Sequence, residues 1–508
     1  MIGIEAFRVV LPEFLLLSGA LATYALGRAL RWRDPGYIGG IAAFFALAAL
    51  IAFISAVPGV LGGGAVPTAV LGTSGITLAL DPLALLIGCA ATSILLAACL
   101  YSARCFGQET GTEKYYALLL LMAAGVIGIG LAQDIFNMYV FFELMSVASF
   151  PLVAYHSGAW DPVKAATKYA VMSAAGSVTA LFGISLVFMS AGTLEISRIG
   201  TALSSVSPPP AQGIILISGG LIVAGFGVKA AIVPLHTWLP DAHSFAPSGV
   251  SAMLSGIVIQ AGLIAMIKAM APLSGAGGSF PLGLTLALFA ALTMCMGNLI
   301  ALKQRDLKKM LACSSIAHMG YILLGFSFGI GLYGTGTELG YTGGLYHILG
   351  HVFMKGGAFL CAGAFIYALR SKDIDEMEGI GRAVPALGIP FVLCMLALNG
   401  MPPMTGFVSE LFICRAGIAS GVAGMLLVFV MLANIVISFG YYLPAINTIV
   451  FSEGSGRKAK GMRPVPLLIQ LVIAMTAVVV VILGIAPQAG LALVSPAAAY
   501  IASLFGPV

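Results

Sequence analysis

The chain has 508 residues, of which 60% are hydrophobic and 8% charged, against roughly 25% charged in an ordinary soluble domain. Mean hydropathy is +1.06. Residues 35–80, 269–302, 310–337, 383–409, 416–452 and 464–508 hold no Asp, Glu, Lys or Arg, which excludes a soluble enzyme and leaves one integral membrane domain over 1–508, packed helix on helix in lipid.

Apolar runs and their breakers predict fourteen spans, near 7–27, 38–58, 78–101, 115–132, 135–156, 165–190, 211–232, 248–271, 281–302, 310–332, 342–369, 385–412, 418–450 and 464–486. Each is near the roughly 20 residues that cross a bilayer. The first run has no A-x-A cleavage site and reads as a retained helix. The last twenty residues are Pro-interrupted and are expected to lie along the surface. Loops on one side hold 17 basic residues, Arg28, Arg31, Arg33, Arg104, Lys114, Lys164, Lys303, Arg305, Lys308, Lys309, Arg370, Lys372, Arg382, Arg457, Lys458, Lys460 and Arg463. Loops on the other side hold four, Arg8, Arg198, Lys268 and Arg415. That asymmetry places both termini outside the cytoplasm. The formal charge of +5 thus follows topology and carries no nucleic-acid signal. Eight cysteines include no CxxC and read as packing thiols. No P-loop, strand-borne GxGxxG, GxSxG or CxxCH is present, so no cofactor is expected.

Charges inside spans are the candidates for chemistry, because each costs at least roughly 2.5–3.5 kcal/mol in hydrocarbon and by default marks an ion path. Glu13 and Asp81 lie near span ends and are weaker candidates. Glu143 sits mid-span in DIFNMYVFFELMSVASFPLVAYH. Lys168 begins the sixth span, where snorkelling and function weigh equally. Lys229 ends a 30-residue uncharged run, residues 199–228, and is followed by Pro234, Pro240 and Pro247. The helix should therefore break just after a buried charge. Bringing Glu143 and Lys229 together would favour both charged forms. In PLHTWLPDAHS, His236, Asp241 and His243 either gate access or cap broken helix ends. His318 lies in the tenth span. His347, His351 and Lys355 recur at i, i+4 and i+8 and share one helix face. They would cover about 12 Å of membrane depth at 1.5 Å per residue. No third ligand accompanies the His pair, so a proton path is favoured over a metal. A second break, NGMPPMTGFVSEL, precedes Glu410. Breaks in the seventh and twelfth spans suggest inverted repeats.

The stretches VFFELMS, KAAIVPLHTWLPDAHSFAPSGVSAMLSG, ALKQRDLKKMLACSSIAHMGYILLG, HILGHVFMKGGAFLCAG and NGMPPMTGFVSEL resemble the antiporter-like subunits of respiratory complex I. That family includes the A and D subunits of Mrp-type sodium/proton antiporters and the large membrane subunits of group 4 membrane-bound hydrogenases. The resemblance covers about residues 75–450. It implies fourteen helices with two inverted five-helix repeats, about 115–271 and 281–450. It implies a coupled Glu143–Lys229 pair, a central His347/His351/Lys355 row and a terminal charge at Glu410, where M-type subunits also carry Glu. Relatives place Lys where this chain has Gln260, which cannot titrate. The relay there would run by water, use the histidines, or be weakened. The chain's ending soon after the fourteenth span favours the D-, M- or N-like group.

The expected function is proton translocation within a multisubunit complex of a prokaryotic cytoplasmic membrane, with sodium as an alternative ion. Other membrane subunits would be the partners and no redox group would be held here. A stand-alone secondary transporter and a structural scaffold that has lost conduction are the competing readings.

Overall fold

A computed structural model describes residues 4–29, 35–62, 66–71, 76–106, 111–156, 158–205, 212–274, 281–333, 336–453 and 462–506. Of the basic loop residues, Arg31, Arg33, Arg457, Lys458 and Lys460 lie outside the described residues. The chain is a helical bundle. Helices α1 (Ile4–Ala29), α2 (Pro35–Leu61), α3 (Pro82–Cys105), α4 (Thr112–Leu131), α5 (Ile135–Val153) and α6 (Trp160–Ala191) come first. A short α7 (Ile196–Ser205) leads to α8 (Gln212–Lys229), α9 (Leu239–Phe245), α10 (Ser248–Met253) and α11 (Ile259–Ser274). Then follow α12 (Leu282–Ala301), α13 (Leu307–Ile330), α14 (Glu338–Leu369), α15 (Ile380–Ala383), α16 (Pro385–Leu398), α17 (Thr405–Ala419), α18 (Gly421–Ile446), α19 (Leu467–Ile485) and α20 (Pro487–Leu504).

Twelve helices among the described residues are long and apolar enough to cross a membrane. The other two of the fourteen expected segments are the two expected to break. One is the shorter apolar helix ending at Lys229. The other is divided into α16, which meets the short helices before it at 112°, and α17.

Aspartates set three of the helix starts. Asp81 accepts from Ala84 N at 2.8 Å, Asp134 from Asn137 N at 2.6 Å and Asp306 from Lys309 N at 3.0 Å. Each satisfies an amide that the helix itself cannot. Asp81 is thereby occupied as a cap, and it also takes Gln133 Nε2 at 3.0 Å.

Two local features depart from the expected plain helices. A hairpin, β1 (Thr68–Leu71) antiparallel to β2 (Ile76–Ala79) with Thr68 opposite Ala79, precedes α3. The third span therefore starts at Pro82, four residues later than its apolar run does. The span Ser248–Ser274 contains a π-helical turn at Leu254–Val258 between α10 and α11, a feature often found at functional positions. Apart from residues at their ends, this span and α13 are buried within the protein. They form the axis against which α14 packs. The C-terminal α20 contacts α14 and α3, with Phe505 5.9 Å from Tyr341 between ring centroids and Tyr500 Oη 3.3 Å from Gln133 Oε1.

Small residues set the helix spacing. A Cβ at Gly297 of α12 would lie 2.5 Å from Ala317 N of α13. One at Gly320 would lie 2.7 Å from Met294 N. Such close backbone approach is how helices bind one another where apolar burial supplies no net drive.

Candidate functional site

The first break is built around Lys229. α8 stops there, and Ala231 adopts φ 53°, a left-handed conformation that a residue with a Cβ rarely takes. The backbone groups released by the break find side-chain partners. Trp238 Nε1 donates to Val228 O at 2.8 Å, and Val233 N donates to Thr293 Oγ1 at 3.1 Å. Trp238 also stacks on Tyr169, 4.1 Å between centroids and 9° between planes. The lysine is 1% exposed.

Lys229 and Glu143 make no direct ion pair in the described structure. Lys229 Nζ donates to the Tyr169 hydroxyl, and to Ser149 Oγ at 3.4 Å. It sits 4.5 Å from the centre of the Tyr169 ring, close enough for cation–π attraction. Ser149 and Tyr169 bond each other at 2.8 Å. Glu143 is half-buried and accepts from Ser177 Oγ, which lies 2.9 Å from Tyr139 Oη. The two charges therefore influence each other through space, each held by its own hydroxyl pair.

A second, fully enclosed cluster lies on α11, α13, α14, α17 and α18. Gln260 Nε2 is 2.8 Å from His351 Nδ1. His318 Nδ1 is 2.9 Å from His347 Nε2, and the His318 and His351 ring centres are 5.3 Å apart. His347 Nδ1 bonds Ser409 Oγ at 2.9 Å. His318 Nε2 lies 3.3 Å from the Tyr442 hydroxyl, which accepts from Lys355 Nζ at 3.5 Å. Lys355 also donates to Ser314 Oγ and, at 3.2 Å, to Leu311 O. His347, His351 and Lys355 do share one face, and His318 enters from α13 to meet it. The cluster leaves Gln260 Oε1 and His351 Nε2 buried without partners.

The remaining candidates stand apart from these two groups. Glu410 is buried against the second break: a Cβ at Gly400, which has φ 66°, would lie 2.0 Å from Oε2. Its neighbour Ser409, not Glu410, reaches the histidines. Lys168 pairs with Asp241 at 2.8 Å, and Lys309 approaches the other oxygen of Asp241 at 3.9 Å. The Lys168 and Asp241 side chains are 40% and 37% exposed, so this pair contributes little to stability. His236 is buried within the break and its Nδ1 has no partner. His243 is buried with neither ring nitrogen bonded, its ring stacked on Phe359 at 4.8 Å. Glu13 is buried in α1 with both oxygens unpartnered.

Sequence reading missed several participants. Tyr169, Ser149, Ser177, Ser314, Ser409 and Tyr442 hold the charged groups, yet a hydroxyl in an apolar run is normally spent on its own helix backbone. Lys268 was expected in an outer loop. It is instead fully enclosed, donating to Gly130 O and Ala132 O at 2.8 Å and to Ile129 O at 3.4 Å. It closes the C-terminal end of α4, where a cation complements the free carbonyls. Lys308, also expected in a loop, is 3% exposed.

Comparison with known proteins agrees with this architecture. The family model described as NADH:quinone oxidoreductase/Mrp antiporter, TM, matches residues 132–438, which contain every candidate from Glu143 to Glu410. NADH-quinone oxidoreductase subunit N of Desulforudis audaxviator is 31% identical over 395 residues, 77% of this chain and 76% of that one. F420H2 dehydrogenase subunit N of Methanosarcina mazei is 29% identical over 422 residues, covering 81% and 82%. A chain in the structure of the membrane-bound sulfane sulfur reductase, an archaeal respiratory membrane complex, superposes with a TM-score of 0.87 at 26% identity, covering 99% of both chains. With its broken helices, buried lysines and central histidines inside the matched region, the chain belongs to the NADH:quinone oxidoreductase/Mrp antiporter family of membrane subunits.

Proposed function

We propose that this chain moves protons across the bilayer as one membrane subunit of a multisubunit respiratory or antiporter complex, and that it holds no redox group. The observation that carries this is the enclosed row Gln260–His351–His347–His318–Tyr442–Lys355. Three imidazoles, a phenol and an ammonium lie within hydrogen-bonding or ring-contact distance of one another, away from solvent. Buried groups of this kind are costly in a membrane interior and persist where they conduct. An imidazole can accept a proton at one nitrogen and release it from the other. Tyr442 and Ser409 both donate and accept, so they can pass a proton between neighbours. The nitrogen-rich lining suits protons better than a hard metal cation, which takes oxygen ligands.

Glu143 with Lys229 would form the entry to this row. Lys229 and the row are not joined by hydrogen bonds, although Gly262 of α11 lies against the Lys229 stem. Water would have to bridge that interval. The relatives named above belong to complexes of several subunits, so electron transfer would enter through partner membrane subunits. The loops with most basic residues would face the cytoplasm and both termini the other side.

The test is proton flux in vesicles containing the purified complex, with and without Lys355→Met. Methionine keeps the apolar stem and removes the titrating head. Flux should fall at least about tenfold, the loss of a general acid–base step, with subunit composition unchanged. Near-normal flux from a fully assembled variant would overturn the relay reading.

A further inference from the structure

A cavity of about 300 Å³ opens at the end of the bundle that carries the basic loops, and none of the relay residues is in its lining. Its lining includes Lys308, Lys372, His156, Tyr101, Ser248 and Gly249. Among the described residues no carboxylate lines it. We propose that this cavity binds a phosphate group, donated either by a phospholipid headgroup or by free inorganic phosphate.

Four observations converge on an oxyanion. First, two ammonium groups flank the space. Lys308 is 3% exposed and donates to Ala246 O. Lys372 donates to Ser244 O at 2.5 Å and lies 4.6 Å from the centre of the Phe245 ring. Each spends one N–H on the backbone and has two more to offer. Second, the cavity receives the start of the 27-residue span Ser248–Ser274, whose N-cap, Pro247, supplies no side-chain cap. The free amides of a long helix's first turn, with the positive end of its dipole, favour an anion. Third, the Tyr101 hydroxyl is enclosed and lines the cavity, where its one neighbouring partner is the weakly accepting thiol of Cys105. A thiol is a poor acceptor, and a bound oxyanion would give this donor a stronger one. Fourth, of the two carboxylates that act on Lys372, Asp306 and Asp161, neither is in the lining, and Asp306 is already engaged, taking Ser244 Oγ at 2.8 Å and capping α13. Partial burial also holds Lys372 below the ordinary lysine range, with Asp306 opposing that shift. An anion in the cavity would favour both ammonium groups. Phosphate binding by lysines at the membrane boundary is a known mode of headgroup recognition.

The experiment uses the purified complex in detergent. Thermal stability is followed during titration with inorganic phosphate against sodium chloride at matched ionic strength. Native mass spectrometry separately counts phospholipid retained after detergent exchange. Lys372→Gln removes a charge from a half-exposed position, and Tyr101→Phe removes only the enclosed hydroxyl. A saturable phosphate shift, or one retained phospholipid per chain, is expected in the wild type. Retained lipid identifies a headgroup site, and a phosphate shift without retained lipid identifies a free-anion site. Lys372→Gln should weaken either signal about tenfold, as loss of one charge-assisted contact entails. Tyr101→Phe should weaken it measurably with the complex intact. Absence of both signals, or signals unchanged in both variants, would overturn the assignment.

Discussion

Gln260 carries the sharpest question at the level of single residues. The family resemblance implies a lysine there, and this chain offers an amide whose nitrogen lies 2.8 Å from His351 Nδ1. A lysine at the same point could donate to the same nitrogen and reach the space beside the unpartnered Gln260 Oε1. Gln260→Lys is therefore expected to assemble within about twofold of the wild-type yield, with flux unchanged or raised. A dry, charged lysine would instead cost several kcal/mol. Failure of the complex to assemble would show that the position cannot host a proton carrier. Lys229 makes the complementary case. Its ammonium is held by Tyr169 and Ser149, and an arginine there would keep the charge but hardly deprotonate. Lys229→Arg and Glu143→Gln should each reduce flux by about tenfold or more, as loss of a proton-transfer group does. Substantial pumping by the arginine variant would mean that Lys229 supplies only a fixed field. These charges were legible in the sequence because charge is rare in apolar runs. Their hydroxyl partners were not, because Ser149 also bonds its own helix at Ser146 O, 2.6 Å away. Nothing in a one-dimensional pattern separates that ordinary habit from service to a lysine.

Among the elements, hydropathy located the spans and proline located the breaks. It did not show the close approach of α12 and α13. Gly297 and Gly320 each face the partner helix's backbone, which cannot move aside as a side-chain end can. Gly297→Val and Gly320→Val should lower the yield of assembled complex about tenfold, since forcing backbones apart in a packed interior costs roughly 1–3 kcal/mol or more. Gly220→Ala is the matched control: nothing lies within 4 Å of its Cβ position, so yield should match the wild type. Equal losses at all three sites would show that the seam is not the determinant. The hairpin Thr68–Ala79 and the π turn at Leu254–Val258 were not legible for a different reason. The strands are only four residues each, and a π turn leaves apolar periodicity almost unchanged. Lys268 was misplaced because it ends an apolar run before Pro272, which looks like an exit from the membrane. Three carbonyls at the end of α4 hold it inside instead.

For the molecule as a whole, orientation decides what the two ends of the relay meet. At one end lie Lys308, Lys309 and Lys372, the Lys168–Asp241 pair and the cavity above the Ser248–Ser274 span. The opposite end holds Asp81, Gln133 and Lys268, the last held to the carbonyls that finish α4. Basic loop residues are retained on the cytoplasmic side during insertion, so the first end should face the cytoplasm. With an even number of crossings, both termini should then face outward. Alkaline phosphatase fused at either terminus should be active, and a fluorescent protein exported through the general secretory route should be dark at both. A single cysteine placed at exposed Arg305, 83% accessible at its side chain, should react with an impermeant maleimide only in inverted vesicles. Labelling of that cysteine in intact cells would invert the bundle. The Lys372 cavity would then open to the exterior, where its phosphate would have to come from the outer leaflet or the external medium and not from the cytoplasm.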